Sequence, residues 1–255
     1  MKIFRSESFV DYKTYTFNYA TYCIKEEQSE LPEIYAQGFL PYSNNVKLEE
    51  ETYYLARSLR VDLSLFKESS ENRRVARKME DLNPSFEVIP VKDFNLNDTH
   101  FKSYCLDFAA KRFSEAISTE RLDYILAAKS ISHIFHFKIG NKTAGYVISI
   151  IENGTLHYWF AFFDLEYQTY ALGKWMMFSV INWAFEQKMA YVYLGTCYGE
   201  KSLYKVRDFK GLSYFDGNQW DTDIKTLKNK CKSDQEFITD EFKQDTDLFL
   251  QRLEK

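Results

Sequence analysis

One stretch of this sequence joins a β-favouring run to a cluster of charges: Tyr191-Val-Tyr-Leu-Gly-Thr-Cys-Tyr-Gly-Glu-Lys-Ser-Leu-Tyr-Lys-Val-Arg-Asp-Phe-Lys-Gly211. Its first residues predict a short buried strand that meets Gly195. The cations and phenols that follow the strand are Tyr198, Lys201, Tyr204, Lys205, Arg207 and Lys210. In α/β sheets, ligands bind at the carboxyl ends of strands. We therefore interpret this stretch as a site for a phosphate-bearing or carboxylate-bearing partner.

The elements around that stretch follow a mixed α/β order. From residue 85 the patterns predict a strand, two helices, three antiparallel strands, a helix, a strand and a helix. The apolar helix at 171–188 is typical of a buried helix. The order is similar to that of the N-acetyltransferase-like (GNAT) acyltransferases. We expect an α+β fold in which a GNAT-like mixed sheet is flanked by helices, with a smaller N-terminal α/β region.

Local signals predict further boundaries. Tight turns are expected at 139–142 and at Asn153-Gly154, and helix N-caps at Ser69 or Ser70, Asn97 and Thr119. Other signals predict a loop at 39–45, strand residues at 52–65 and a helix at 201–209. We divide the chain into an N-terminal domain with a basic helix (1–84), a GNAT-like catalytic domain (85–231) and an acidic C-terminal helix (232–255).

The composition argues against several classes of protein. The net charge of −4 over 255 residues is not that of a polycation, so any nucleic-acid contact has to come from a local basic patch. The most apolar run, 175–185, is shorter than the ~20 residues of a membrane span. The N-terminus lacks the apolar core of a signal peptide. We expect a soluble cytoplasmic protein with no membrane partner.

The cysteines stand far apart in the sequence, at Cys23, Cys105, Cys197 and Cys231. They show no C-x-x-C spacing, which argues against a zinc or iron–sulfur site. We expect reduced thiols and no bound metal.

A basic segment at 57–78 is the first candidate for binding an anion. Positions i, i+1, i+4 and i+5 share one face of a helix, and here they hold Arg73, Arg74, Arg77 and Lys78. Such a face can neutralise several phosphates. The alternative is a solvated helix whose cations pair with Glu71 and with the acidic tail.

The run Leu156–Leu165 is the second candidate. Strand alternation places Tyr158 and Asp164 on one face and His157 on the other. Asp164 closes the strand, where it can hold a cationic amine, and His157 can act as a base. For both residues the alternative is a capping or core polar role.

Residues 168–173, which precede the apolar helix, partly match the pattern Gln/Arg-x-x-Gly-x-Gly/Ala of GNAT enzymes that use acetyl-CoA. The glycines of that pattern let backbone amides and a helix N-terminus hold a pyrophosphate. Ala171 replaces the first glycine and Gly173 remains. The partial match weakens a CoA pyrophosphate site without excluding it.

Two blocks of the sequence resemble a known enzyme family. The first, Leu55–Lys78, is similar to the pattern R-V-D-x-S-x-F-x-x-S-x-x-x-R-R-V-x-R-K/R. The second, Tyr158–Gly211, contains in order Phe163-Asp164, Leu172-Gly173, Tyr193-Leu194-Gly195 and Tyr204-Lys205. Together these blocks resemble the arginyl-tRNA–protein transferases and their bacterial leucyl-tRNA–protein relatives.

The resemblance implies transfer of an amino acid, arginine or a leucine-like donor, from aminoacyl-tRNA to the N-terminal α-amine of a protein whose first residue is acidic. Aminoacyl-tRNA is then a co-substrate, and a protein N-terminus is the acceptor. Some members bind an iron–sulfur centre through an N-terminal cysteine cluster. That cluster is missing here, where only Cys23 lies near, so we expect no iron–sulfur cluster and no other cofactor.

We assign roles to the candidate residues on that basis. Tyr198 or Tyr204 protonates the leaving ribose hydroxyl, and Asp164 holds an amine. The residues expected to bind substrate and tRNA are Arg60, Arg73, Arg74, Arg77, Lys78, Gly173, Lys201, Lys205 and Arg207. Two alternatives stay open: a CoA-dependent GNAT N-acyltransferase, and a catalytically inactive GNAT-like RNA-binding module.

Overall fold

The computed structural model describes residues 1–11, 16–112 and 117–234. Within these ranges the helices are α1 (Leu31–Ala36), α2 (Ser70–Glu80), α3 (Thr99–Arg112), α4 (Thr119–Leu126), α5 (Leu172–Glu186) and α6 (Ile224–Ser233). The strands are β1 (Lys2–Asp11), β2 (Thr16–Ile24), β3 (Phe39–Pro41), β4 (Thr52–Leu55), β5 (Ser58–Asp62), β6 (Pro84–Pro90), β7 (His133–Ile139), β8 (Lys142–Glu152), β9 (Thr155–Phe163), β10 (Tyr191–Thr196), β11 (Leu212–Phe215) and β12 (Trp220–Asp221). Two 3₁₀ turns flank the site described below, Leu165–Tyr170 and Glu200–Lys205.

The strands form two sheets. The smaller sheet has the order β1-β2-β4-β3 and the larger one the order β12-β11-β5-β10-β9-β8-β7-β6. Strands β9 and β10 pair in parallel. The other neighbouring pairs among the described strands are antiparallel. The larger sheet is therefore mixed, as the order of elements predicts.

Helices cover both faces of the larger sheet. On one face, α2, α5 and α6 share a core with Phe135, Val147 and Val192. On the other face, α3 and α4 share a core with Ile134 and Ile148. Helix α5 is buried on most sides, as its apolar sequence predicts. Each large apolar side chain in these cores contributes roughly 1.5–3 kcal/mol by leaving water.

The N-terminal region packs against the middle of the larger sheet. Its own core lies between α1 and the smaller sheet, and it continues onto Ile150 of β8 and Tyr193 of β10. The smaller sheet is thus held beside the strands that carry the site, and the α1 side chains buried there are Leu31, Ile34 and Tyr35.

Two of the local predictions are confirmed. The Ser69 hydroxyl accepts the Asn72 N–H at 3.0 Å, and the Asn72 side chain accepts the Ser69 N–H at 2.9 Å, so α2 begins with a reciprocal cap. The turn at Asn153-Gly154 has φ angles of 43° and 78°, which a two-residue type I′ hairpin requires.

The predicted caps of α3 and α4 are wrong by one residue. Asp98, not Asn97, accepts the Phe101 N–H at 2.8 Å, and Ser118, not Thr119, accepts the Arg121 N–H at 3.1 Å. In each helix the capping side chain belongs to the residue three positions before the N–H that it accepts, which leaves that N–H bonded in the first turn.

Three predicted segments also differ. The loop expected at 39–45 contains β3, and the residues at 52–65 form β4 and β5, which join different sheets. The helix expected at 201–209 is only the 3₁₀ turn Glu200–Lys205, because the chain then bends to bury Val206 and Asp208.

The domain boundary expected at residue 84 stays a prediction. Strand β5 lies inside the larger sheet between β10 and β11, and α2 packs against α5.

The helix expected at 232–255 falls mostly outside the described residues, because α6 ends at Ser233 and the description ends at residue 234.

Candidate active site

Strands β9 and β10 separate at their carboxyl ends. Their parallel register runs from Tyr191 opposite Thr155 to Tyr193 opposite His157, and no ladder pair joins these two strands beyond that point. On the other side of β9, the register with β8 shifts, so that Trp159 stands as a bulge. Backbone N–H and C=O groups that leave a ladder are free to bond a ligand. The gap between β9 and β10 is the candidate active site.

Lys205 brings a partly buried cation to this gap. Its ammonium donates to the Thr196 carbonyl at 3.0 Å, at the end of β10. A Cβ built on Gly195 would lie 3.6 Å from the Lys205 Nζ. Burial lowers the pKa of Lys205 to about 8, and the nearby Cys197 thiol opposes that shift. The side chain is thus still largely protonated at pH 7 and is less stable in that form than a solvated lysine.

His157 lies at the last position where β9 pairs with β10, with only 1% of its surface exposed. Its Nδ1 is 3.3 Å from the Tyr35 hydroxyl, and its Nε2 has no hydrogen-bond partner among the described residues. Burial lowers the pKa of His157 to about 3, and the Lys205 charge adds to the shift. A base of that pKa is weak at neutral pH, so the structure favours the core polar role.

Tyr204 stands beside the gap and Tyr198 stands further out. The Tyr204 ring is 42% exposed and lies 5.9 Å from the Lys205 Nζ. Burial raises the pKa of Tyr204. The Tyr198 hydroxyl accepts the Arg57 backbone N–H at 2.8 Å, and the Arg57 guanidinium lies 4.6 Å from its ring centroid. The structure thus brings Tyr204 together with Lys205, and it gives Tyr198 a partner in the loop after β4.

Asp164 adopts the capping alternative. Its carboxylate accepts the Glu166 N–H at 2.9 Å and caps the turn Leu165–Tyr170. Its backbone N–H bonds the Ala144 carbonyl at 2.9 Å. The carboxylate therefore has a structural partner, and the amine-holding role stays a prediction.

The N-terminus of α5 has no capping side chain. Ala171 has a left-handed φ of 62° and its carbonyl accepts the N–H groups of Lys174 and Trp175. A 15-residue helix with an uncapped N-terminus is suited to bind an anion. Gly173 serves packing at this point, because a Cβ there would lie 2.7 Å from the Phe163 ring.

Cations of α2 and of the segment after β10 meet beside the α5 N-terminus. Two carboxylates join them in a chain of ion pairs, in which Glu71 contacts Arg74 and Lys174, and Asp208 contacts Lys174 and Arg207. These pairs hold the pKa of Glu71 down at about 2. We call the resulting region the basic surface; it consists of Arg73, Arg74, Arg77, Lys78, Lys174 and Arg207.

Two further observations place the remaining cations. The Lys78 ammonium bonds the Thr169 carbonyl, which ties the basic surface to the turn before α5. Lys201 is exposed at the start of the turn Glu200–Lys205. The binding roles of Lys78 and Lys201 stay predictions. Lys205, in contrast, points inward to the Thr196 carbonyl.

Arg60 lies apart from the basic surface. Its guanidinium stacks between the rings of Tyr191 and Trp220, at 4.3 and 4.1 Å from their centroids. Its Nε donates to the Ser213 hydroxyl at 3.3 Å. These contacts give Arg60 a structural role across strands of the larger sheet, and its assignment as a tRNA-binding residue stays a prediction. Its partners are far away in the sequence, and no local signal could have revealed them.

The thiols and acidic side chains form no metal site in the described residues. All four cysteines are free and buried. The Sγ atoms of Cys197 and Cys231 lie 3.5 Å apart, and burial raises the pKa of Cys197 to about 12. Among the described helices, none is both long and apolar enough to cross a bilayer.

Comparison with known proteins defines the class. The chain matches the acetyltransferase (GNAT) domain family over residues 69–210, and it belongs to that family. The predicted GNAT-like fold is thereby confirmed. No curated protein matches the sequence.

Several solved structures are similar to this chain. One is L-PGS from Bacillus licheniformis, at 15% identity and a TM-score of 0.42, covering 68% of this chain and 51% of that one. Another is the C-terminal domain of a putative lysylphosphatidylglycerol synthetase from Agrobacterium fabrum, at 14% identity and a TM-score of 0.41. That match covers 66% of this chain and 51% of the other chain. A third is FemX, at 8% identity and a TM-score of 0.44. That match covers 69% of this chain and 62% of the FemX chain. The chain thus spans about half to three fifths of the length of these proteins.

Proposed function

We propose that the protein transfers an amino acid from aminoacyl-tRNA to the N-terminal α-amine of a protein. The observation that carries the proposal is the basic surface beside the α5 N-terminus. Its cations come from α2, α5 and the segment after β10, and ion pairs through Glu71 and Asp208 join three of them, Arg74, Lys174 and Arg207. A surface of this extent suits the several phosphates of a nucleic-acid end better than one pyrophosphate.

The gap between β9 and β10 suits the acyl-transfer step. In the proposed reaction the neutral α-amine, with a pKa of ~8 in peptides, attacks the ester carbonyl of the aminoacyl-tRNA. A C–N bond forms, and the carbonyl oxygen becomes an oxyanion. The Lys205 ammonium and unpaired backbone N–H groups of β9 are the groups that stabilise this charge.

Collapse of that intermediate breaks the ester C–O bond. The ribose oxygen leaves and takes a proton, for which we assign the Tyr204 hydroxyl as the donor, because the Tyr204 ring lies 5.9 Å from the Lys205 Nζ. The attacking nitrogen loses one proton, either to solvent or to the tyrosine, which is thereby protonated again. The remaining work of the enzyme is to hold ester and amine in contact.

A transfer assay with purified protein tests this function. Total tRNA, aminoacyl-tRNA synthetases, labelled amino acids and model peptides are combined, with RNase-treated and acetyl-CoA arms. The Arg73→Ala/Arg77→Ala double variant should weaken tRNA binding and lower the salt dependence by about 0.9 per lost phosphate contact. The matched control is Lys142→Ala, an exposed cation at the start of β8. Equal tRNA affinity and transfer in both variants would contradict the role of the basic surface.

A CoA-dependent N-acyltransferase is the second candidate. The match to the acetyltransferase (GNAT) domain family and the uncapped N-terminus of α5 favour it. In the same assay it is distinguished by labelling from acetyl-CoA that RNase does not affect. Salt-sensitive tRNA binding with no transfer from either donor would instead identify the inactive RNA-binding module.

A further inference from the structure

An ion pair lies against the segment that follows β10. One nitrogen of the Arg57 guanidinium donates to both oxygens of the Asp234 carboxylate, at 2.8 and 3.1 Å, and only 15% and 14% of these side chains are exposed. Arg57 lies where the chain passes from β4 of the smaller sheet to β5 of the larger one, and Asp234 directly follows α6. Both residues lie outside the range 69–210 that matches the acetyltransferase domain, so the match assigns neither a role.

Arg57 binds the first two residues after β10, Cys197 and Tyr198, through its backbone and its side chain. Its carbonyl accepts the Cys197 N–H at 2.9 Å, and its N–H donates to the Tyr198 hydroxyl at 2.8 Å. Its guanidinium donates to the Cys197 carbonyl at 3.3 Å and lies over the Tyr198 ring. These contacts fix the course of the chain directly after Thr196, whose carbonyl accepts the Lys205 ammonium.

Asp234 binds the next residue, Gly199. Its carboxylate accepts the Gly199 N–H at 2.7 Å. The Gly199 carbonyl in turn accepts the Ser202 hydroxyl at 2.8 Å and the Ser202 N–H at 3.2 Å, at the start of the turn Glu200–Lys205. Hydrogen bonds to an ionised group are roughly twice as strong as neutral ones. The carboxylate therefore fixes the start of the turn whose last residue is Lys205.

We infer that Arg57 and Asp234 are a positioning pair for the acyl-transfer site. They hold the loop 196–205 so that the Lys205 ammonium stays against the Thr196 carbonyl, at the end of the β9–β10 gap. The inference rests on the proposed function, because it assigns Lys205 to the oxyanion. Both residues act through the backbone of the loop, and a displacement of about 1 Å at such a site can lower a rate by about 10²-fold.

The pKa of Lys205, which burial lowers to about 8, tests the pair without any substrate. Competitive labelling by acetic anhydride across a range of pH, with mass spectrometry of the Lys205 peptide, measures it. In Asp234→Asn the loop should loosen and admit water, so the pKa should rise towards its usual value of 10.5. Loss of a carboxylate would by its charge alone lower a lysine pKa, so a rise reports the change in the loop.

The surroundings of Lys205 keep this measurement simple. The titratable groups that interact with its ammonium are Cys197, His157 and Tyr204. All three stay neutral near pH 8, because burial raises the pKa of Cys197 to about 12, lowers that of His157 to about 3 and raises that of Tyr204. The titration of Lys205 is therefore not mixed with a second charge change.

A second variant covers the case in which Asp234→Asn does not fold. Arg57→Lys keeps the charge, but a flexible ammonium replaces the guanidinium that bonds Asp234 and the Cys197 carbonyl together. It should raise the pKa of Lys205 in the same direction. The matched control is Asp123→Asn, which breaks the ion pair between α4 and Lys102 of α3 and should leave this pKa unchanged.

Kinetics test the consequence for transfer. Asp234→Asn and Arg57→Lys should each lower kcat about tenfold and change KM less than about twofold, because Lys205 acts on charge that develops in the transition state. Melting curves establish that each variant is folded at the assay temperature. A variant that only loses folded protein would lower kcat in proportion to that loss and leave the pKa of Lys205 as it is, which would overturn the inference.

The two readouts separate this inference from the proposed function. A raised pKa together with a lowered kcat and an unchanged KM would support both. An unchanged or lowered pKa in a folded variant, or full kcat despite a raised pKa, would overturn the positioning pair and leave the function standing. If the wild type transfers nothing from any charged tRNA, the proposed function fails, and the pKa comparison still decides whether the pair positions Lys205.

Discussion

Replacing Lys205 by methionine should make the protein more stable and less active. The substitution keeps an unbranched side chain and removes the partly buried charge. Burial lowers the pKa of Lys205 from 10.5 to about 8, a difference of 2.5 units. At about 1.36 kcal/mol per unit, holding the charge inside the folded protein costs about 3 kcal/mol at neutral pH. The lost hydrogen bond to Thr196 offsets about 1 kcal/mol, which leaves a gain of about 2 kcal/mol.

The pH dependence gives this prediction a sign. The folded-state pKa of Lys205 lies below the unfolded value, so between about pH 8 and 10.5 the unfolded chain binds more protons than the folded one. Wild-type stability should therefore rise with pH across that window because the penalty disappears. Lys205→Met lacks the ammonium, so its gain in the free energy of unfolding over the wild type is full below pH 8 and shrinks towards pH 10.5.

Urea unfolding followed by tryptophan fluorescence measures this effect at pH 7 and near pH 10. The exposed residue Lys142, changed to methionine, is the control and should alter stability by less than about 0.5 kcal/mol. Transfer by Lys205→Met should fall by about 10²-fold or more if the ammonium stabilises the oxyanion. Destabilisation at pH 7, or an advantage that does not change with pH, would refute the burial argument. Full transfer activity would refute the catalytic role.

Three further predictions concern stability. His157→Phe should resist acid unfolding better than the wild type. Between pH 6.5 and about 3 the wild type should lose up to about 1.4 kcal/mol of its free energy of unfolding per pH unit, because the imidazole takes up a proton in the unfolded chain but stays neutral when buried. Equal acid unfolding of the two proteins would contradict this. Gly38→Ala should cost about 2 kcal/mol more than Gly140→Ala in urea unfolding, since both have positive φ but only Gly38 has a ring, that of Phe215, 2.3 Å from the added Cβ. Ser69→Ala should destabilise the protein by about 1 kcal/mol through loss of the α2 cap, and an unchanged melting temperature would be inconsistent with that cap.

Local patterns in the sequence were enough to predict much of the fold. The apolar run at 171–188 forms a buried helix, the Asn153-Gly154 pair forms a tight turn, and Ser69 caps α2. In each case the deciding interaction lies within a few residues, or depends only on whether a face is apolar. The mixed sheet followed from the order of these elements.

Long-range pairing could not be predicted in the same way. Strand β5 enters the larger sheet between β10 and β11, which lie more than a hundred residues further along the chain. Arg60 belongs to that strand, and its stacking between Tyr191 and Trp220 could not be predicted from its neighbours in the sequence. A basic residue looks alike in sequence whether it meets an anion or an aromatic ring.

The geometry of the candidate site could not be predicted from the sequence, and the roles of its residues stay predictions. The charges after β10 are present, yet only the structure shows that Lys205 turns inward to Thr196 while Arg207 joins α2 through Asp208 and Lys174. The ion pair that holds the loop after β10 could not be predicted either, because its two residues are 177 positions apart in the sequence.

The most direct test of the account is whether the amino acid on a tRNA reaches the α-amine of a peptide in the presence of this protein. Mass spectrometry of model peptides, after incubation with charged tRNA, detects the added residue and its position. We predict an N-terminal addition that disappears when the tRNA is digested by RNase and that falls sharply with Lys205→Met. An addition that survives RNase and requires acetyl-CoA, or no addition from any charged tRNA, would contradict the central claim.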